Sequence, residues 1–139
     1  MRQVIFEIFG DMFFMFPEEY DEEVEFPQNW IKYRIIVSND KDFFLNFYFT
    51  PGQATSMAEN FLGEEAENIS DLIIDETLKE AVNVLGGNLL NRIREDFHLG
   101  IPEKCTTENT DRLKDISLEM ESILLNIEDD PFLATVTQE

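Results

Sequence analysis

The chain has 139 residues, of which 43% are hydrophobic and 13 are Phe, so it can form one folded domain with its own core. Its 30 acidic residues against 10 basic ones give a formal net charge of −20. That charge excludes nucleic acid and anionic membrane surfaces as partners, because both would repel it.

The first half of the chain predicts one helix followed by two strands. Apolar residues recur at helical spacing over residues 4–16, which predicts a first helix that ends before Pro17. The acidic run at residues 18–25 predicts a solvated loop. Residues 30–37 predict a strand, and the apolar run at residues 43–49 predicts a central strand buried on both faces. Turn residues between the two strands indicate an antiparallel hairpin.

Capping residues mark two further helices. Thr50 followed by Pro51 is typical of an N-cap and a first helical position, and Gly63 is expected to end that helix. Ser70 is the predicted N-cap of a longer helix. Asp71 in the first turn of that helix complements the helix dipole.

The C-terminal part predicts a polar loop at residues 103–110 and three strands, at residues 96–101, 115–127 and 132–137. Asp129-Asp130-Pro131 supplies the predicted turn between the last two strands. The whole chain, residues 1–139, is therefore predicted to be a single α+β domain, in which about three helices pack on a mostly antiparallel sheet of about five strands.

The long helix carries an ordered set of polar groups on its exposed side. On a helical wheel that side consists of Glu76, Glu80, Asn83 and Gly87, which lie within roughly 60° of one another. The opposite side is spaced for burial and contains Ile74, Leu78, Ala81, Val82, Leu85 and Leu89. The polar side is either a solvated face or a surface that docks on another protein.

Two adjacent glycines, Gly86 and Gly87, lie within this helix. Each costs about 1 kcal/mol relative to alanine in a helix interior. The simplest interpretation is that they end the helix, but the apolar spacing continues through Leu89, Leu90 and Ile93. We therefore expect the helix to continue and a strand or a partner backbone to approach it closely there.

Other kinds of site find little support in the residues. One cysteine, Cys105, and one histidine, His98, are too few for a structural zinc site, and a single cysteine cannot form an intramolecular disulfide. No glycine-rich phosphate loop and no Gly-x-Ser-x-Gly sequence is present. No run of about 18 apolar residues occurs, so we expect no membrane span and a cytoplasmic location. A carboxylate pair of glycosidase type stays open as a minor alternative.

The run Glu80-Ala-Val-Asn83-Val-Leu-Gly-Gly87-Asn88, followed by Pro102, resembles the CheC–CheX–FliY family of response-regulator phosphatases, and the CheX branch in particular. The predicted order of elements also resembles the CheX fold. In the family motif an Asp or Ser precedes the Glu by four residues, and here Glu76 takes that position. Glu7 has Gly10, not Asn, three residues later, so the resemblance implies one site per chain.

The resemblance implies a role for each matched residue. Asn83 would enter the active site of a phosphorylated CheY-like response regulator and orient water in line with its aspartyl phosphate. Glu80 would pair with a lysine of that receiver domain, and Glu76 and Gly87 would contact the same partner. The Mg²⁺ ion would belong to the receiver, so no cofactor of this chain's own is expected.

The implied function is therefore that of a chemotaxis phosphatase. Members of the family often form homodimers by pairing edge strands, and the late strands are the candidates for that here. Two alternatives remain open: a receiver-binding scaffold without turnover, and a structural relative of the flagellar motor-switch proteins. The acidic surface does not distinguish between them.

Overall fold

The computed structural model describes residues 1–20, 29–39, 41–92, 97–105 and 119–138. Within these ranges, helices pack on an antiparallel sheet. The helices are α1 (Arg2–Phe13), α2 (Pro51–Leu62) and α3 (Asp71–Asn91), with a short 3₁₀ helix at Ala66–Asn68. The predicted α+β class and the three helices are confirmed.

The predicted caps of α2 and α3 are present. Thr50 Oγ1 accepts a hydrogen bond from the Gln53 N–H at 3.1 Å, and Ser70 Oγ accepts one from the Ile73 N–H at 3.3 Å. α2 ends at Gly63, whose φ of 67° is left-handed. Each of these helix ends is thus set by capping groups that satisfy free backbone donors or allow the chain to turn.

α1 ends at Phe13, earlier than its apolar spacing suggests. Phe14 has a left-handed φ of 55°, and the N–H groups of Phe14 and Met15 both donate to the Phe9 carbonyl. This capping arrangement stops the helix. The chain then enters the sheet at Pro17.

Within the described residues the sheet has seven strands, against about five predicted. They are β1 (Pro17–Glu19), β2 (Ile31–Ser38), β3 (Asp42–Phe49), β4 (His98–Leu99), β5 (Glu103–Lys104), β6 (Glu119–Ile127) and β7 (Asp130–Gln138). The order is β1-β6-β7-β3-β2-β4, and β5 also pairs with β2. All of these pairs are antiparallel.

Short strands account for the difference in number. β1 overlaps the first two residues of the stretch predicted as a loop at residues 18–25, and β5 lies within the loop predicted at residues 103–110. β4 covers only two residues of the strand predicted at residues 96–101. Strands of two or three residues contain no side-chain period, so only backbone pairing with β6 or β2 defines them. The predictions at residues 21–25, 96, 106–110 and 115–118 lie outside the described ranges.

The turn between β6 and β7 comes earlier than predicted. Glu128 and Asp129 have positive φ values of 51° and 66°, and Ile127 pairs with Asp130. This is a two-residue hairpin loop with positive φ at both central residues, as a type I′ turn requires. The prediction that Pro131 belongs to the turn is wrong, because Pro131 lies in β7.

The two late strands differ in how much of their edge is free. β7 pairs with β6 on one side and with β3 on the other. β1 covers β6 only at residues 125–127, so the remainder of β6 is an open edge within the described residues. The expectation that the late strands supply a dimer edge is therefore wrong for β7 and stays a prediction for β6.

The core forms around Phe132 of β7. Its ring centroid lies 5.1 Å from that of Phe9 in α1 and 5.4 Å from that of Phe49 in β3. Such tilted aromatic pairs stabilise a core beyond the area they bury.

Strand β3 is completely buried only in its second half. The first half, which leads out of the β2–β3 turn, is exposed at Asp42 and half-buried at Phe43, Phe44 and Leu45.

α3 packs directly against the sheet at Gly86. A Cβ there would lie 3.3 Å from Ile35 Cγ2 in β2 and 3.3 Å from Leu99 Cδ1 in β4. A Cβ on Gly87 would meet nothing within 4 Å. The predicted close approach of a strand is confirmed at Gly86, and the helix continues to Asn91. Gly87 faces open space, so its approach by a partner stays a prediction.

Alanine substitutions at the two glycines form a matched pair. Both bring the same helix-propensity gain of about 1 kcal/mol, but only Gly86→Ala adds a methyl group against Ile35 and Leu99. We expect Gly87→Ala to raise the free energy of unfolding by about 1 kcal/mol, and Gly86→Ala to give little or none of that gain. Urea denaturation measures both values. Equal gains would contradict the packing of α3 described above.

Candidate functional site

One side of α3 forms a wall of an open surface groove with a volume of about 410 Å³. The residues of this wall are Glu76, Lys79, Glu80 and Asn83, and the facing wall consists of Gly100, Ile101 and Pro102 between β4 and β5. The structure therefore brings three of the predicted site residues together with the proline of the motif. Pro102 follows Asn83 by nineteen residues in the sequence, yet lines the same groove.

The buried side of α3 determines where its polar side points. Leu78, Ala81, Val82 and Leu85 are completely buried in the core. Glu76, Glu80 and Asn83 lie on the other side of the helix and are exposed. Within the described part of the chain, the side chains of Glu80 and Asn83 form no hydrogen bond or ion pair. Their hydrogen-bonding groups are therefore available to a partner.

The segment that forms the facing wall is hydrogen-bonded to β2 at both ends. The Gly100 N–H donates to the Ile36 carbonyl at 2.8 Å, and the Cys105 N–H donates to the Lys32 carbonyl at 2.8 Å. A Cβ on Gly100 would collide with Ile36 Cγ2. Glycine at this position therefore allows the backbone to lie against the Ile36 side chain.

Gly87 is the one predicted site residue that the groove does not include. It follows Asn83 by one helical turn on the same side of α3, but it is not among the lining residues. Its partly exposed backbone extends the polar side of the helix beyond the groove.

A buried tyrosine and a carboxylate that the sequence analysis missed support the α3 wall. Tyr33 of β2 is 1% exposed and donates its phenol hydrogen to Asp75 Oδ1. Asp75 Oδ2 lies 3.1 Å from Lys79 Nζ, one turn further along α3. The Asp75–Lys79 ion pair could have been predicted from the sequence, because residues four apart on a helix face each other. The Tyr33–Asp75 hydrogen bond could not, because the two residues are 42 positions apart in the sequence.

These contacts shift two pKa values. Burial by itself raises the pKa of the Asp75 carboxyl, but the hydrogen bonds from Tyr33 and Lys79 and the charge of Lys79 outweigh it and lower that pKa overall. Burial, together with the hydrogen bond to Asp75, raises the pKa of the Tyr33 phenol. At neutral pH Asp75 is therefore ionised and Tyr33 protonated, which fixes the direction of their hydrogen bond.

The groove offers hydrogen bonds and charge. A carboxamide, two carboxylates and one ammonium group occupy the α3 wall, and a carboxamide can both donate a hydrogen bond to a water molecule and accept one from it.

Among the described residues, no group of three or more His, Cys, Asp or Glu side chains is placed to hold a metal ion. The helices in those residues also lack the length and apolar character needed to cross a membrane.

Three helices on an antiparallel sheet, with an exposed Glu-x-x-Asn pair on the longest helix, define a protein of the CheC/CheX-like class. A family profile described as chemotaxis phosphatase CheX matches residues 33–123, more than half of the chain. The chain therefore belongs to the CheX family. No curated protein matches its sequence.

Solved structures of chemotaxis proteins share the fold. A chain of the CheX–CheY–BeF₃–Mg²⁺ complex from Borrelia burgdorferi has a TM-score of 0.71 at 14% identity, covering 99% of this chain and 95% of that one. CheX from Desulfovibrio desulfuricans gives 0.70 at 15% identity, with coverages of 99% and 95%. CheX from Vibrio vulnificus gives 0.69 at 14%, with coverages of 99% and 93%. At these identities the likeness shows the fold alone.

The Asp75 contact predicts a pH dependence with a definite sign. Because the pKa of Asp75 is lower in the folded chain than in the unfolded chain, its contribution to stability is complete above the unfolded value. That contribution is lost as the pH falls through the folded value. The stability difference between wild type and Asp75→Asn should therefore shrink from about pH 5 downward. Urea denaturation at several pH values measures it, and a difference independent of pH would refute the assignment.

Proposed function

We propose that this chain is a phosphatase for the aspartyl phosphate of a CheY-type receiver domain. The observation that carries the proposal is the groove in which Glu80 and Asn83 of α3 face Pro102. These residues match the family motif, and the first two have unused hydrogen-bonding groups within the described chain. Membership of the CheX family supports the reaction, and the solved complex of a CheX protein with CheY supports the partner.

Asn83 is assigned to the attacking water. Hydrolysis of an aspartyl phosphate requires a water molecule in line with the phosphorus atom and the leaving oxygen. The oxygen of a carboxamide accepts a hydrogen bond from that water, and its NH₂ group can donate one. It brings no negative charge close to the phosphoryl oxygens, whereas an Asp at this position would repel them.

Glu80 is assigned to docking. Its carboxylate would pair with a lysine of the receiver and so set the depth and angle at which Asn83 enters the partner's active site. Glu76 extends the acidic contact by one turn of α3. The space above the Gly87 backbone would allow the receiver to approach α3 closely at the other end of its polar side.

The metal is assigned to the partner. The solved CheX–CheY complex contains Mg²⁺ and BeF₃. On the receiver, the ion would compensate the charge of the transferring phosphoryl group. This chain would supply the water-orienting carboxamide and the docking carboxylate, and no cofactor of its own.

A cytoplasmic homodimer completes the proposal. Cys105 is a buried cysteine that forms no disulfide, as is usual in a reducing compartment. The unpaired part of the β6 edge can add a strand from a second copy of the chain. Sedimentation velocity should give twice the chain mass of 16.3 kDa, and a monomer at all concentrations would contradict this part of the proposal.

Phosphate release from a phosphorylated CheY-type receiver of the same genome tests the catalytic assignment. We expect Asn83→Ala to lower the stimulated rate at least about 100-fold and to retain binding of the receiver's BeF₃–Mg²⁺ form. Glu80→Ala should weaken that binding. EDTA should abolish the stimulated release without changing the Tm of the isolated chain.

Asn88→Ala is the matched control for Asn83→Ala. Asn88 is also an exposed asparagine of α3, but its amide donates to the Val84 carbonyl at 2.8 Å, and it lies outside the groove. Release unchanged by Asn83→Ala and Glu80→Ala would overturn the catalytic assignment. Binding without accelerated release would favour the scaffold, and no interaction with any receiver would favour the motor-switch relative.

A further inference from the structure

Ile101 is an apolar side chain at the edge of the groove. It is 86% exposed, the highest value among the large hydrophobic residues in the described part of the chain. The other exposed members of that group, none of which lines the groove, are Phe14, Phe16, Phe61, Leu62 and Leu72. Single exposed apolar residues are common on protein surfaces. The position of Ile101, beside Glu80 and Asn83, is what points to a partner.

The backbone on both sides of Ile101 is constrained. Gly100 is hydrogen-bonded to the Ile36 carbonyl and lies against the Ile36 side chain, where no Cβ would fit. Pro102 follows directly, which fixes its own φ and restricts the conformation of Ile101. A contact residue on a constrained backbone loses less conformational entropy on binding. Ile101 is therefore preorganised for contact.

We propose that Ile101 is the apolar anchor that holds the phosphorylated receiver against the groove. The inference rests on the proposed function. Ile101 lines the same groove as Glu80 and Asn83, so a receiver whose phosphoryl group meets those two residues also covers Ile101. The receiver surface next to its phosphorylated aspartate must then present an apolar patch.

The charge of the chain explains why an apolar contact is needed there. With a formal net charge of −20, the chain has no long-range attraction for a surface that carries a phosphoryl group. On the α3 wall the ammonium of Lys79 is paired with Asp75, and the other charged residues are carboxylates. Removal of Ile101 from water adds affinity that salt does not screen.

Calorimetric titration with the BeF₃–Mg²⁺ form of a CheY-type receiver tests the anchor. We expect Ile101→Ala to raise Kd about 10- to 100-fold, the range for loss of one large buried apolar side chain. The factor should be the same at low and high salt. In the phosphate-release assay, Ile101→Ala should raise KM and leave kcat unchanged. Asn83→Ala should do the reverse, lowering kcat and leaving KM unchanged. Ile101→Val should restore most of the affinity, because it keeps a branched apolar surface.

Leu72→Ala is the matched control. Leu72 is 67% exposed on α3 and lies outside the groove, so its replacement should leave Kd and KM at the wild-type values. Equal weakening by Leu72→Ala would overturn the anchor, because general surface hydrophobicity would then account for the affinity.

Three further outcomes separate the anchor from the proposed function. Unchanged Kd and KM in Ile101→Ala, beside an active wild type, would overturn the anchor and leave the phosphatase assignment intact. Loss of self-association in Ile101→Ala with unchanged receiver affinity would also overturn it, since the residue would then serve a second copy of the chain. A wild type that neither binds nor dephosphorylates any receiver would overturn the proposed function, and the anchor with it.

Discussion

Strand β2 holds both walls of the groove, and the candidate site depends on this. On the helix side, the Tyr33 phenol binds an α3 carboxylate, and Ile35 packs against Gly86. On the loop side, the Ile36 carbonyl accepts the Gly100 N–H. Three residues of one strand thus hold two segments that are distant in sequence. The separation of the walls cannot change without breaking core contacts or backbone hydrogen bonds of β2, so the groove is preorganised.

One side of α3 belongs to the core, and the other carries the residues assigned to the proposed function. The buried side contributes completely buried residues to the core, and the exposed side presents Glu80 and Asn83. Exposed side chains that bind no neighbour can be replaced at little cost in stability. Under the proposed function, the effect of such a replacement on phosphate release would therefore report the loss of a contact with the partner. Gly86, in contrast, belongs to the buried side, and a methyl group there would press against Ile35 and Leu99.

In the proposed function, the strong negative charge limits how this surface could bind a phosphorylated partner. Carboxylates at Glu76 and Glu80 favour basic groups of a receiver and repel its phosphoryl group, so the position of each charge matters more than the total. The neutral carboxamide of Asn83 is the polar group of the α3 wall that can approach the phosphoryl group without a charge penalty. In the proposed complex, Ile101 adds affinity that is independent of charge.

The sequence by itself determined the α+β class, the helix caps at Thr50 and Ser70, and the side of α3 that carries Glu80 and Asn83. These features follow from local periodicity and capping, which act within a few residues. It also indicated, through resemblance, that Pro102 belongs with them. Only the tertiary structure decided the short strands, the Tyr33 contact and the place of Ile101 in the groove. Each of these depends on backbone or side-chain partners far away in the chain, and such pairings leave no periodic pattern to detect.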